Sequence, residues 1–156
     1  MENIKGYVTF VNEEVKENDI IERQILVYNS IEDSLRFVNI TDNKEIAEVS
    51  VIGNYDITES KYYGYENIII ANEIKINKIL NYDEIIRYML SNAKTEEKLC
   101  RFIQSFEINE SDKQLFSNKG IDTWLAVRYY QDGEAEIYEK DRYSLVKEYY
   151  NNKKTN

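Results

Sequence analysis

Ile68-Ile69-Ile70-Ala71-Asn72-Glu73-Ile74-Lys75-Ile76-Asn77-Lys78-Ile79-Leu80-Asn81-Tyr82-Asp83-Glu84-Ile85-Ile86 decides the fold class. Up to Ile76 the apolar residues recur at strand-like intervals. Ile68, Ile70, Ile74 and Ile76 are predicted to share a face, with Ala71, Glu73 and Lys75 on the other. From Asn81 the period changes. Tyr82, Ile85, Ile86, Met89 and Ala93 follow the i, i+3, i+4, i+7 stripe of a half-buried helix. Asn81 stands where a short side-chain oxygen caps free helical N–H groups. The texture therefore switches from strand to helix near Leu80–Asn81, with no flexible tether between.

Working back from that junction, Tyr7–Val11, Ile20–Tyr28 and Ile46–Ile52 read as further strands. In the second of these, Ile21, Ile25 and Val27 share a side. The polar stretches Asn12–Asp19, Asn39–Lys44 and Asn54–Glu66 read as turns or loops. Asn29 or Ser30 caps one short helix, with Glu32 and Asp33 in its first turn, where the helix dipole favours anions. Leu35 and Val38 are expected to face the sheet.

Downstream, Thr95 caps a helix carrying Leu99, Phe102, Ile103 and Phe106 at helical spacing. Ser111 or Asp112 starts a shorter helix, and Gly120 is expected to supply its left-handed C-terminal cap. Ile121–Tyr130 carries Trp124, Leu125 and Arg128 on one face. Gly133 breaks that pattern, and Glu134–Tyr138 reads as a short strand or loop. A last helix covers Tyr143–Tyr150, with Asn151–Asn156 fraying. The prediction is an α+β fold: an N-terminal, mainly antiparallel sheet with one helix (β-β-α-β-β), followed by a helical C-terminal half. Residues 1–80 form the β-rich half and 81–156 the helical half, packed as one unit.

Composition excludes several chemistries. The 156 residues hold no His, no Pro and a single cysteine, Cys100. A Ser-His-Asp triad, a Cys-His pair and an HExxH zinc site are therefore impossible. One cysteine forms no intramolecular disulfide and no cysteine-rich zinc site. No P-loop, GxGxxG or GxSxG motif is present. Flanked by Leu99 and Phe102, Cys100 reads as a small, part-buried helix residue. No cofactor and no metal is expected. The start lacks a basic, apolar leader, and no apolar run reaches the ~20 residues of a membrane helix. A cytoplasmic protein of a bacterial host cell is expected, without membrane contact. The abundance of Asn, Ile, Lys, Glu and Tyr points to AT-rich codons and a low-GC genome.

Charge sharpens the picture. There are 29 Asp+Glu against 20 Lys+Arg, a formal charge of −9. By sequence, 15 acidic and 8 basic residues lie in 1–80 (15 − 8 = 7, so −7). Such a balance repels phosphate backbones, so direct nucleic-acid binding is not expected. The densest acidic row is Glu13, Glu14, Glu17, Asp19 and Glu22. In an extended chain, alternate side chains lie about 6.6 Å apart on one side. A carboxylate row so spaced can imitate a nucleic-acid backbone and occupy a basic groove. The other reading is a solvated turn between strands. Tyr62, Tyr63 and Tyr65, around Gly64, form a second candidate contact, since Tyr brings rigid contact area at low entropy cost. They serve equally well as residues folded back on the sheet. Tyr129, Tyr130, Tyr149 and Tyr150 read as core. Arg87, Lys94, Lys98, Arg101 and Lys119 are interleaved with Glu84, Glu96, Glu97 and Glu107, which reads as a solvated mixed-charge face.

One layout resembles a known family. It runs from Ser30-Ile31-Glu32-Asp33-Ser34-Leu35 through Glu48-Val49-Ser50-Val51-Ile52-Gly53 to Ile70-Ala71-Asn72-Glu73-Ile74-Lys75-Ile76 and Ile79. Over about residues 1–90 this is similar to an uncharacterised domain of phage and prophage proteins. That domain carries a Gly-Phe-His-x-Cys segment where this chain has Ile25-Leu26-Val27-Tyr28. The resemblance implies a phage or mobile-element setting and brings no activity with it.

Together these readings predict a non-enzymatic phage or mobile-element inhibitor of a host defence protein. An anti-CRISPR protein is one example. Its partner would be a basic protein such as a CRISPR effector or other nuclease, with Glu13, Glu14, Glu17, Asp19, Glu22, Tyr62, Tyr63 and Tyr65 in contact. The acidic residues would steer association and the tyrosines would anchor it. Three alternatives stay open. One is an immunity protein neutralising a cognate toxin. Another is a small phage regulator binding DNA through its helical half. The third is a degenerate or unusual enzyme, which predicts a deep pocket of paired carboxylates with Tyr or Arg. Oligomeric state is left open.

Overall fold

A computed structural model describes residues 4–58 and 68–155. The fold is α+β, with antiparallel sheets in the N-terminal part and helices after them. By contacts the chain divides into two compact units. The first comprises Met1–Val38 and Asp42–Arg87, the second Asn39–Thr41 and Tyr88–Asn156. No helix among the described residues is long and apolar enough to cross a membrane.

In the first unit the strands are β1 (Lys5–Val11), β2 (Ile20–Ile21), β3 (Ile25–Val27), β4 (Lys44–Val51), β5 (Tyr55–Thr58), β6 (Ile68–Ala71) and β7 (Ile74–Ile79). Helix α1 (Ile31–Ser34) lies between β3 and β4. One sheet has the order β1-β4-β7-β2 and the other β3-β6-β5, all neighbours antiparallel. Two strands expected to be continuous are each divided between the sheets. Ile20–Tyr28 breaks around Arg23 into β2 and β3. Ile68–Ile76 breaks at Asn72-Glu73 into β6 and β7. Across this second break the core-facing residues change from odd positions, Ile69 and Ala71, to even ones, Ile74 and Ile76. A single strand cannot do this, because its faces alternate strictly. β5 falls in a stretch expected to be loop; all four of its residues are exposed.

The core of this unit collects side chains from both sheets: Val8, Phe10, Ala47, Val49, Val51, Ile74 and Ile76 from one, Val27, Ile69 and Ala71 from the other. Among the described residues a single reciprocal pair joins the sheet edges. Tyr7 N donates to Tyr28 O (2.8 Å) and Tyr28 N donates to Tyr7 O (3.0 Å). The neighbouring Gly6 makes this approach possible. A Cβ there would stand 2.5 Å from Val27 Cγ1 and 2.6 Å from Tyr28 O. In β7, Asn77 bulges where the β4 register shifts between Glu48 and Val49, and its Nδ2 donates to Ser50 Oγ (2.7 Å).

The caps follow the sequence. Ser30 Oγ accepts from Asp33 N at the start of α1. Asn81 and Glu84 exchange bonds at the start of α2 (Tyr82–Asn92): Glu84 N donates to Asn81 Oδ1 (2.9 Å), and Asn81 N donates to Glu84 Oε1 (3.2 Å).

The second unit holds α3 (Glu96–Ser105), α4 (Lys113–Ser117), α5 (Ile121–Ala126) and α6 (Arg142–Thr155). Thr95 caps α3 as expected. Gly120, expected to be left-handed, is instead extended and precedes α5. Its missing Cβ leaves room for the Glu96 carboxylate. Glu96 Oε1 accepts from Asp122 N (3.1 Å) and Thr123 N (3.3 Å), so a side chain from α3 caps α5. Beyond α5 the helix widens into a π turn over Val127–Gln131. Gln131 Nε2 there donates to Ile103 O and Phe106 O, and its Oε1 accepts from Ile108 N. Trp124, Leu125, Ile137, Leu145 and Tyr149 form the local core. Tyr150, expected in the core, is 57% exposed. Ala135–Glu139 is a 3-10 turn rather than a strand. α6 runs on through the expected frayed tail, which contains neither Gly nor Pro to stop it.

Gly6→Ala is expected to destabilise the protein by about 1–3 kcal/mol, because the new methyl group meets backbone and a buried valine. Urea unfolding of this variant against the wild type measures it.

Candidate functional site

The acidic row is not one extended strand. β1 ends at Val11, and the chain turns through Asn12 (φ 55°) and Asn18 (φ 72°) before β2 begins at Ile20. The even spacing expected of Glu13, Glu14, Glu17, Asp19 and Glu22 is therefore replaced by a loop of fixed shape. The burial of one side chain and four hydrogen bonds hold it. Val15 is buried in the first unit's core. Asn12 N donates to Asn43 O (2.9 Å). Asn18 N donates to Ile76 O (2.8 Å), and Ile76 N donates to Asp19 O (2.9 Å). Lys16 N donates to Asp19 Oδ2 (2.9 Å).

Glu13 is committed to a partner. Arg23 grips it with two bonds of 2.8 Å, Nη1 to Oε1 and Nη2 to Oε2. The hydrogen bond from Arg23 holds the Glu13 carboxyl below the 4.5 of an ordinary glutamate. Glu14, Glu17, Asp19 and Glu22 remain exposed. Lys78, paired with Glu84, also feels the charges of Glu17 and Glu48. The row thus projects less free charge than its composition implies. Tyr62, Tyr63 and Tyr65 lie outside the described residues.

The Glu13–Arg23 pair also borders a cleft of about 330 Å³ within the first unit. One wall is the edge of β1, from Val8 to Val11. The facing wall is β3, at Ile25, Leu26 and the adjoining Tyr28. Residues Ser34, Arg36, Phe37 and Val38 make the third side. Thr9 Oγ1 and Ser34 Oγ lie 2.8 Å apart and tie α1 to β1. Three exposed apolar residues converge on this cleft: Val11 (36%), Leu26 (42%) and Phe37 (86%). Phe37 is the most exposed, and its backbone is left-handed at φ 67°. That conformation costs about 1–2 kcal/mol in an L-residue with a Cβ. The Arg36 guanidinium lies over its ring at 4.7 Å.

Sequence reasoning missed this cleft. None of Val11, Leu26 or Phe37 stands out by type, and among the described residues the backbones of β1 and β3 pair only through the bridge between Tyr7 and Tyr28. It also missed the burial of Glu32 (4% exposed) and Asp33 (6%) in α1. The nearby Tyr7 phenol has its pKa raised by burial and by the charges of Glu48 and Glu32. It therefore stays protonated at neutral pH.

In the second unit Cys100 is half-buried. Burial, and then the charges of Asp122, Glu96 and Glu97, push its thiol up to about 11. A thiol so shifted is protonated at neutral pH and is a poor nucleophile. Arg128 is held by Glu134 (2.8 Å) and Glu148 (2.9 Å) and lies over Trp124 at 4.6 Å. No group of three or more Cys, Asp or Glu among the described residues is placed to hold a metal ion.

The chain matches no protein-family model, and comparison with curated proteins and with solved structures gives no match. The layout likeness of residues 1–90 to the phage domain therefore assigns no family.

Arg23→Gln is expected to free Glu13 while costing at most about 1 kcal/mol, since the pair is solvent-exposed. Because Arg23 lowers the Glu13 pKa, the pair helps stability above the ordinary carboxylate range, and that help is lost as the pH falls through the depressed midpoint. Carboxyl NMR titration is expected to place the Glu13 midpoint below 4.5 in the wild type and to move it upward in Arg23→Gln.

Proposed function

We propose that this chain is a non-enzymatic binding protein that covers a basic surface of another protein. In a phage or mobile-element setting it acts as an inhibitor of a host defence protein. A nucleic-acid-handling effector, such as a CRISPR nuclease, is the partner class that fits, with its substrate path occluded.

One observation carries this reading. Exposed carboxylates and exposed apolar side chains lie on the same unit. Glu14 follows Glu13, and Glu22 precedes Arg23, and the Glu13–Arg23 pair borders the cleft that Val11, Leu26 and Phe37 line. An apolar centre beside a charged rim is the usual anatomy of a protein interface. The apolar part supplies the energy of contact, while the carboxylates raise the rate of encounter with a basic partner and reject acidic ones. The loop is pinned by Val15 and by main-chain bonds to β7, so little ordering cost remains for binding.

Expression of the chain in a bacterium whose CRISPR nuclease targets a phage is expected to restore plaque formation. The triple variant Glu14→Lys, Glu17→Lys, Glu22→Lys is expected to lower that restoration at least tenfold with the fold intact by circular dichroism. No restoration by the wild type against any nuclease tested would defeat the proposal. Protection seen only against a cognate toxin would move the reading to an immunity protein.

A further inference from the structure

In the second unit, α4, α5, the π turn and α6 border a cavity of about 260 Å³. Its polar lining divides into committed and uncommitted groups. Lys113 Nζ lies 2.8 Å from Glu110 Oε2 and 2.7 Å from Asp132 Oδ1, so both carboxylates of the lining share one ammonium. Arg128 gives Nε to Glu134 and Nη1 to Glu148 and keeps Nη2. Gln114 Nε2 donates to Asn118 Oδ1 (2.8 Å). These bonds shape the walls.

The uncommitted groups are of one kind. Ser117, Trp124 and Tyr149 line the same cavity and are 7%, 6% and 5% exposed. Among the described residues the Ser117 hydroxyl, the Trp124 indole N–H and the Tyr149 phenol have no hydrogen-bond partner. In a buried Trp or Tyr that polar atom usually finds one. Lys153 Nζ lies 5.2 Å from the centre of the Tyr149 ring and makes no ion pair among the described residues. The indole N–H, Arg128 Nη2 and Lys153 Nζ can only donate, and the two hydroxyls can donate as well.

A neutral polyol would need acceptors here, and the lining carboxylates are tied to Lys113. A ligand rich in acceptors and negatively charged fits this donor set. The donors stand on four elements: Ser117 on α4, Trp124 on α5, Arg128 on the π turn, and Tyr149 and Lys153 on α6. They therefore meet a ligand from several sides. A carboxylate offers its oxygens in one plane, whereas a phosphate offers them around a tetrahedron and suits a guanidinium beside an ammonium.

We infer that this cavity binds the phosphate group of a small molecule, with Trp124, Arg128 and Lys153 donating to its oxygens and Ser117 and Tyr149 completing the set. Free phosphate and a phosphate ester present the same chemistry to these groups. The site belongs to the second unit and is independent of the function proposed above.

Trp124 is the single tryptophan, so its indole gives one ¹⁵N–¹H resonance. In the full ¹⁵N-labelled chain, at constant pH and ionic strength, inorganic phosphate is expected to move that resonance saturably. Acetate is expected to bind at least about tenfold more weakly. Ser117→Ala and Lys153→Gln each remove one charge-assisted hydrogen bond and are each expected to weaken phosphate binding about tenfold. Lys153 is exposed, so its variant serves where Ser117→Ala does not fold. Lys147→Gln removes the same charge from α6 outside the cavity lining and is expected to change binding less than about twofold. Absence of a saturable shift, acetate binding as tightly as phosphate, or equal weakening by Lys147→Gln and Lys153→Gln would each overturn the proposal. Glycerol phosphate binding more tightly than inorganic phosphate identifies an ester as the ligand, and the reverse order identifies free phosphate; either order upholds the site.

Discussion

The reciprocal backbone pair between Tyr7 and Tyr28 is the constraint on which the first unit turns. Each sheet alone is small, and the core that Val8, Val49 and Ile76 share with Val27 and Ile69 needs both. The pair fixes where the edges of β1 and β3 meet, and Gly6 lets them approach. Among the described residues the pairing stops after a single bridge, and the strands beyond it bound the cleft. The closure of the core and the candidate binding surface thus have one geometric cause.

Charge on this unit is arranged as well as abundant. Val15 anchors the middle of the acidic loop in the core, and Arg23 clamps its first carboxylate. Glu13 therefore serves the shape of the surface, while Glu14, Glu17, Asp19 and Glu22 project from it. Coulomb energy between exposed groups is screened by water and salt. Such carboxylates act mainly on the rate and selectivity of encounter, and any tight contact has to come from apolar area. Val11, Leu26 and Phe37 provide that area at the adjoining cleft.

The second unit relies on side chains that cap helices from a distance in sequence. Glu96 satisfies the start of α5, and Gln131 binds two carbonyls at the end of α3 and the amide of Ile108. The π turn at Val127–Gln131 sits where Gln131 makes these bonds. Thr123 and Ser117 are also buried, so polar contacts order this part alongside apolar packing.

Local pattern alone determined the α+β class, the switch near Leu80–Asn81 and the caps at Ser30, Asn81 and Thr95. Periodicity and capping act over a few residues, so they are legible in one dimension. The charge balance and the exclusion of histidine chemistry followed from composition. Tertiary structure alone decided that Ile20–Tyr28 and Ile68–Ile76 each divide between two sheets, that Gly120 is extended beside Glu96, and that Glu13 is held by Arg23. It also decided that Val11, Leu26 and Phe37 converge, although Leu26 and Phe37 lie 15 and 26 residues beyond Val11 in sequence. Each of these depends on a partner distant in the chain, which periodicity and capping do not register.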